Sequence, residues 1–428
     1  MAEKISRRKL IERTSQAVIV GSFGAGGLGV CGLAGVSAAA ADRKASPRGV
    51  DYYEKLGVES FINAAGTYTF LTASTMPPEV QAAVALAAQK PVNLMELHEA
   101  TGKYLAEKLK CGGALVTSGA AAALTLGTAA CITLGDKEAI ERIPTDMAGL
   151  KNEVIVQKMH RYEYDHAMRN CGVKVVEVET MEQYKNAFTD KTAMTNYFNA
   201  VEAPIGREDW IRVAHEHGVP CFNDAAADVP PISNLWNYTQ MGFDLVAFSG
   251  GKGMRGPQCA GLLLGRKDLI DAARLNNSPN SDTVGRGLKV AKEEIVGMVA
   301  AVDWFLSQDD AAMEKEFRQR AQRIADQVAK VPTAKTQIFV PPIANHVPHL
   351  VINYDSGKVR TTGNEVKKKL REGKPRIELN PATGGGPASA GLPSSPDTIV
   401  VGVWMLQPGE DVIVGRRLRE VLQAAVQS

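Results

Sequence analysis

Asp244-Leu245-Val246-Ala247-Phe248-Ser249-Gly250-Gly251-Lys252-Gly253 decides how this chain is read. An apolar run of strand length ends in Ser-x-x-Lys, which places a hydroxyl and an amine on one turn. Glycines flank the lysine and carry no side chain, so a bulky ligand can approach the backbone. Taken alone, a lysine in a glycine turn is usually exposed. The stretch is not a phosphate-binding P-loop, which needs glycine five residues before its Gly-Lys pair and Ser or Thr after the lysine. Val246 and Gly253 hold those places.

Strand-like runs continue outward on both sides. They are Leu115-Val116-Thr117, Val154 to Val156, Val173 to Val178, Ala193 to Phe198, Val219 to Asn223 and Ala260 to Leu264. Helical patterns such as Arg207 to His217 lie between them. This alternation predicts an α/β fold with a mostly parallel sheet covered on both faces. Residues 284 to 306 read as one long amphipathic helix, and a smaller α+β region follows. The expected organisation is a leader over 1–41, a linker over 42–60, a large domain over 61–300 and a small C-terminal domain over 301–428.

The leader rests on Ser6-Arg7-Arg8-Lys9-Leu10-Ile11, a twin-arginine pattern, then an uncharged glycine-rich stretch from Thr14 to Val36 and small residues from Ser37 to Ala41. Basic, apolar and small-residue regions in that order predict export by the twin-arginine route, to the periplasm. The alternative is an uncleaved anchor, since about 20 apolar residues can span a bilayer. Gly24-Ala25-Gly26-Gly27-Leu28-Gly29 mimics a dinucleotide fingerprint, but no second strand or acidic residue follows as that site requires.

Chain length and composition agree with this. The 428 residues supply core for about two or three domains. A net charge of +2 gives no basic footprint for a nucleic-acid partner. Six cysteines, with Cys31 in the leader, leave an odd set that argues against a complete disulfide framework. No metal is assigned.

Ligands of open α/β sheets bind at the carboxyl ends of the strands, and four candidate sites fall there. Thr117-Ser118-Gly119-Ala120-Ala121 opens a helix whose unpaired N–H groups can receive a phosphate, unless Ser118 is an ordinary N-cap. Asp224 ends a strand, where its carboxylate can pair with a protonated pyridine nitrogen or simply cap a turn; Ala226 is small enough to lie against a ring. His160 follows another strand and can stack on such a ring, with His166 competing for the role. Lys252 can form a Schiff base with pyridoxal phosphate, whose phosphate Ser249 can hold.

A phosphate cradle, a stacking ring, an acid and a lysine, in that chain order, resemble the fold-type I, aspartate-aminotransferase-like family of pyridoxal-phosphate enzymes. The chain is more closely similar to the selenocysteine synthase (seryl-tRNA selenium transferase) and D-glucosaminate-6-phosphate ammonia-lyase group. The similarity lies in Phe61-Ile62-Asn63-Ala64-Ala65-Gly66-Thr67, Thr117 to Ala122, His160-Arg161, His217-Gly218-Val219-Pro220 and Asp224 to Ala227. Its most specific part is Phe248 to Gln258.

The resemblance implies that Lys252 carries the cofactor and that Asp224 pairs with its ring nitrogen. It also implies that Ser118, Gly119, Ala120 and Ser249 hold the phosphate, that His160 stacks and that Asn199 bonds the ring hydroxyl. Arg376 in Lys374-Pro375-Arg376-Ile377 resembles the small-domain arginine that grips a substrate carboxylate, a task suited to a bidentate fork; the alternative is a surface arginine. The implied activity is a lyase or β-replacing transferase on an amino acid or amino sugar acid, acting through Cα deprotonation. Alternatives are an aminotransferase or racemase on the same scaffold, or an exported, non-catalytic binding protein. The implied partners are a small-molecule amine and a second copy of the chain, as a homodimer or larger. The tRNA-using relatives carry an N-terminal RNA-binding module where this chain has a leader and a short linker, so a tRNA substrate is not expected. Contact with a membrane is expected only through the leader during export.

Overall fold

The computed structural model describes residues 50–199, 202–388 and 391–427. The expected leader and the linker up to residue 49 lie outside the described residues. Ahead of Val58 the described chain holds a short helix, Tyr52–Leu56, whose N-terminus Asp51 caps by accepting from the Tyr53 and Glu54 N–H groups. Among the described residues no helix is long and apolar enough to cross a membrane.

From Val58 onward the chain forms one compact unit. Its strands are β1 (Ile62–Ala64), β2 (Gly113–Thr117), β3 (Glu153–Gln157), β4 (Lys174–Val178), β5 (Thr192–Phe198) and β6 (Cys221–Asp224). They continue with β7 (Leu245–Ser249), β8 (Gly261–Gly265), β9 (Lys335–Phe339), β10 (His349–Asn353), β11 (Ile377–Leu379) and β12 (Thr398–Gly402).

A seven-stranded sheet runs in the order β2-β8-β7-β6-β5-β3-β4. Its pairs are parallel except those of β8, which is antiparallel to both β2 and β7. The fold is therefore the expected mostly parallel α/β sheet. Because β8 reverses twice, β2 runs the same way as β7. The carboxyl ends of β2, β3, β5, β6 and β7 thus share one edge, and that geometry builds the site.

Both faces are packed, so the strands read as nearly continuous apolar runs. Alternation still sorts them. Val154, Val156, Met194, Phe222, Leu245 and Ala247 join one core, while Ile155, Tyr197, Cys221, Val246 and Phe248 join the other. The helix Gly119–Thr133 seals the first face and is buried from Ala122 to Thr133. Gly127 lets it approach, since a Cβ there would lie 2.4 Å from the Phe222 ring.

A third core lies among the antiparallel sheet β9-β10-β12, the pair β1-β11 and the helices Asp310–Val328, Gly363–Arg371 and Glu410–Gln427. Ile62 and Ala64 of β1 belong to this core. The start of the expected large domain is thus built into the smaller C-terminal part, where β1 pairs in parallel with β11. The long helix expected over 284–306 is also shorter, Lys292–Leu306. Two contacts stop it: Gly285 sits so close to Asn276 that a Cβ would be 2.2 Å from its carbonyl oxygen, and Glu294 reaches back to the Ala291 N–H at 3.0 Å. The five described cysteines are free, and Cys131, Cys171 and Cys221 are buried among apolar residues.

Candidate active site

The edge formed by β2, β6 and β7 is closed by backbone packed on backbone. Ser118 follows β2 half-buried, its side chain making no cap bond to the helix it precedes. Gly119 has φ +82°, a left-handed conformation that favours glycine. Gly261 of β8 lies directly beneath, and a Cβ on it would stand 2.5 Å from the Gly119 carbonyl carbon and 2.8 Å from the Ala120 nitrogen. The helix start is thereby fixed, and open space surrounds Gly119 on its free side. Ser118, Gly119 and Ala120 can offer N–H groups and a hydroxyl to an anion there.

Lys252 rides on a compact turn. Gly250 N–H donates to the Ala260 carbonyl at 2.8 Å, Gly256 N–H to Gly250 at 2.8 Å and Arg255 N–H to Lys252 at 3.0 Å. Ser249 ends β7 half-buried, its N–H 3.4 Å from the Ala226 carbonyl. Ala226 is half-buried on the turn that follows Asp224. Lys252 itself is half-buried. Burial pushes its amine below the ordinary lysine range, and the Asp224 and Asp228 carboxylates oppose that push.

Asp224 is buried at the end of β6. Its Oδ1 accepts the Ala226 N–H at 3.1 Å, and its Oδ2 accepts the Tyr162 hydroxyl. Burial raises its carboxyl above the ordinary range, against the Tyr162 and Ala226 hydrogen bonds and the charge of Lys252. Tyr162 lies flat on Phe198, with ring centroids 3.9 Å apart and planes at 7°.

The geometry departs from expectation at three residues. His160 is fully buried beside β5, edge-on to Tyr197 at 4.4 Å, and its Nδ1 receives the Phe198 N–H at 3.4 Å. The short 3-10 turn Lys158–His160 directs it inward, and Tyr162 is the aromatic that reaches Asp224. His166 is exposed. The Asn199 amide is already engaged by protein groups. It donates to Asp228 and, at 2.6 Å, to the Tyr238 hydroxyl, while its oxygen accepts Arg207 Nε at 2.5 Å. Arg376 closes its fork on buried Glu378, at 2.7 and 3.1 Å, beside Arg371 on the same carboxylate. Its guanidinium is therefore not an open carboxylate grip.

Sequence reasoning missed Tyr162 and Asp228. Asp228 is buried and accepts hydrogen bonds from Asn199 and, at 2.9 Å, from Tyr238. Burial pushes its carboxyl up to about 7, with the charge of Asp224 adding to the rise and Asn199, Tyr238 and Arg207 opposing it. The available signal was its place four residues beyond Asp224 and just ahead of Val229-Pro230-Pro231.

The donor set fits pyridoxal phosphate. A glycine-opened helix start and two serine hydroxyls suit a phosphate, a buried carboxylate suits a ring cation, and a desolvated lysine suits a carbonyl carbon. Asp224 carries one donor on each oxygen, and a carboxylate accepts about four, so capacity for a ring N–H remains.

Comparison with known proteins agrees. The SelA (L-seryl-tRNA selenium transferase) family model matches residues 61–347. D-glucosaminate-6-phosphate ammonia lyase of Salmonella typhimurium (strain 14028s / SGSC 2262) is 30% identical over 264 residues, covering 59% of this chain and 69% of the relative. A 5'-C-glycyluridine monooxygenase-decarboxylase of a Streptomyces species is 27% identical over 354 residues, 79% of this chain and 86% of the relative. The solved structure of a D-glucosaminate-6-phosphate ammonia-lyase superposes with a TM-score of 0.75 at 26% identity, covering 88% of this chain and 99% of the other.

Proposed function

Since this chain belongs to the L-seryl-tRNA selenium transferase family and is a pyridoxal-phosphate enzyme of the lyase and transferase kind, we propose that it eliminates or replaces a β-substituent of an amino acid or amino sugar acid. The observation that carries this reading is the convergence of Lys252 with buried Asp224 beside a glycine-opened helix start. Lys252 would hold the cofactor, Ser118, Gly119, Ala120 and Ser249 its phosphate, and Asp224 its ring nitrogen, with Ala226 near the ring. When bound, pyridoxal phosphate supplies an electron sink for a carbanion next to the substrate amine.

The protein's own residues do the rest. Burial lowers the proton affinity of the Lys252 amine, which would suit that nitrogen to take the Cα proton of a bound substrate. Asp224, held by the Ala226 N–H and the Tyr162 hydroxyl, keeps negative charge where ring charge develops. Tyr162, stacked on Phe198, is placed to order the ring's neighbourhood and to exclude water from Asp224.

The substrate reading extends the activity for which the ammonia lyase is named to an amine-bearing acid. The twin-arginine leader supports a location outside the cytoplasm and hence a substrate other than a phosphorylated cytoplasmic sugar acid. A homodimer is proposed from the fold-type I resemblance. A second reading, oxygen-dependent decarboxylation, is favoured by the 79% of this chain aligned with the Streptomyces enzyme.

The test is Lys252→Ala, assayed on a panel of amino acids and amino sugar acids for ammonia, keto acid and oxygen uptake. We expect loss of the cofactor's visible absorbance and a fall in turnover of about 10²- to 10⁴-fold. Unchanged absorbance would falsify the assignment of Lys252. Oxygen uptake without ammonia release would select the second reading.

A further inference from the structure

The turn that carries Asp228 is pressed against the turn that carries Lys252. A Cβ on Gly253 would lie 2.0 Å from the Val229 carbonyl oxygen, so the two backbones are in direct contact beside the lysine. Asp228 N–H donates to the Ala225 carbonyl at 3.1 Å, and Asn234 Nδ2 to the Asp228 carbonyl at 2.7 Å, which lock this turn to β6 and to the helix Asn234–Met241. The side chain is held by neutral donors, the Asn199 amide and the Tyr238 hydroxyl. Arg207 stands one residue away, on the Asn199 oxygen. Both bonded partners are uncharged and favour the ionised form of the acid against its burial.

We propose that Asp228 is a positioning residue that acts through Lys252: braced by Asn199 and Tyr238, its carboxylate is a second counter-charge that steadies positive charge on the lysine nitrogen. The inference rests on the proposed role of Lys252. Asp224 acts on the same nitrogen but also holds Tyr162, whereas Asp228 bonds Asn199 and Tyr238. The charged and titratable groups around the pair are Asp224 on β6, Tyr162 after β3, Arg207 opening the helix Arg207–Glu216, and Tyr238 on Asn234–Met241. Removing the Asp228 charge favours the neutral amine, so the lysine gives up its proton at lower pH.

Acetic anhydride labelling of the cofactor-free full-length chain across pH, read at Lys252 by mass spectrometry against exposed Lys137, tests this directly. Asp228→Asn is expected to move the labelling midpoint of Lys252 down by about one pH unit, or roughly tenfold more labelling at a fixed pH below it. Tyr238→Phe keeps the acid but removes the donor that favours its charged form, and is expected to give a smaller shift in the same direction. An unmoved midpoint in folded Asp228→Asn overturns the proposal. If that variant does not fold, Tyr238→Phe decides, a downward shift supporting the proposal and none overturning it. Borohydride fixation of pyridoxal phosphate, mapped to Lys252 in the parent chain, separates the two readings. A fixed adduct with an unmoved midpoint removes the role of Asp228 alone. A moved midpoint without an adduct removes the cofactor reading and leaves the lysine–acid coupling standing.

Discussion

Two of the places where this protein buries carboxylates are neutralised in opposite ways. In the C-terminal part, Glu378 is buried with two guanidiniums on it, Arg371 and Arg376. At the edge of the large sheet, Asp224 and Asp228 are both buried, their charges act on the lysine Lys252, and the groups bonded to them are hydroxyl, amide and N–H donors. The first cluster is complete without a ligand. In the second, the groups bonded to the two carboxylates are uncharged, an arrangement suited to receiving a cationic ring nitrogen.

The contrast can be broken most sharply at Asp224. Asp224→Asn keeps the Ala226 contact in shape but removes the charge, and turnover is expected to fall roughly 100-fold with little change in melting temperature. A variant that melts early and turns over normally would erase the difference between the clusters. Glu378→Gln is expected to behave in reverse, costing about 2 kcal/mol of stability in denaturant titration while turnover stays within about twofold. The cost is moderate because water can reach both partly exposed arginines once the charge is gone. Arg376→Ala is the mildest case. Arg371 still binds Glu378 through two nitrogens, so the expected loss is about 1 kcal/mol or less, with substrate KM nearly unchanged. A tenfold rise in KM, worth about 1.4 kcal/mol of binding, would return Arg376 to the substrate and show that its fork opens in the working enzyme.

Arg376 also shows what the sequence could have told. In a strand, residues two apart point to one face, so Arg376 and Glu378 were readable as a pair. Six strands of the large sheet were legible as runs buried on both faces, and β4 at its edge by its valines. Strand ends then pointed to Ser118, Asp224, Ser249 and Lys252, which do lie at or just beyond the ends of β2, β6 and β7. The loop side chains were not legible. A single 3-10 turn decides whether His160 or Tyr162 reaches Asp224, and no periodicity records it. Asn199 follows β5 directly, but its partners Asp228, Tyr238 and Arg207 come from three other segments. The β1–β11 pair joins three-residue strands from opposite ends of the chain, too short to leave a pattern.

The glycine contacts at the two ends of the site have a consequence for ligand choice. Gly261 against Gly119 and Ala120, and Gly253 against Val229, are backbone-to-backbone abutments. They make the anion seat and the amine the jaws of a caliper with a fixed opening. Such a gauge selects by span. A carbonyl compound without its phosphate reaches one jaw only, and enlarging either glycine resets the opening rather than merely loosening a contact.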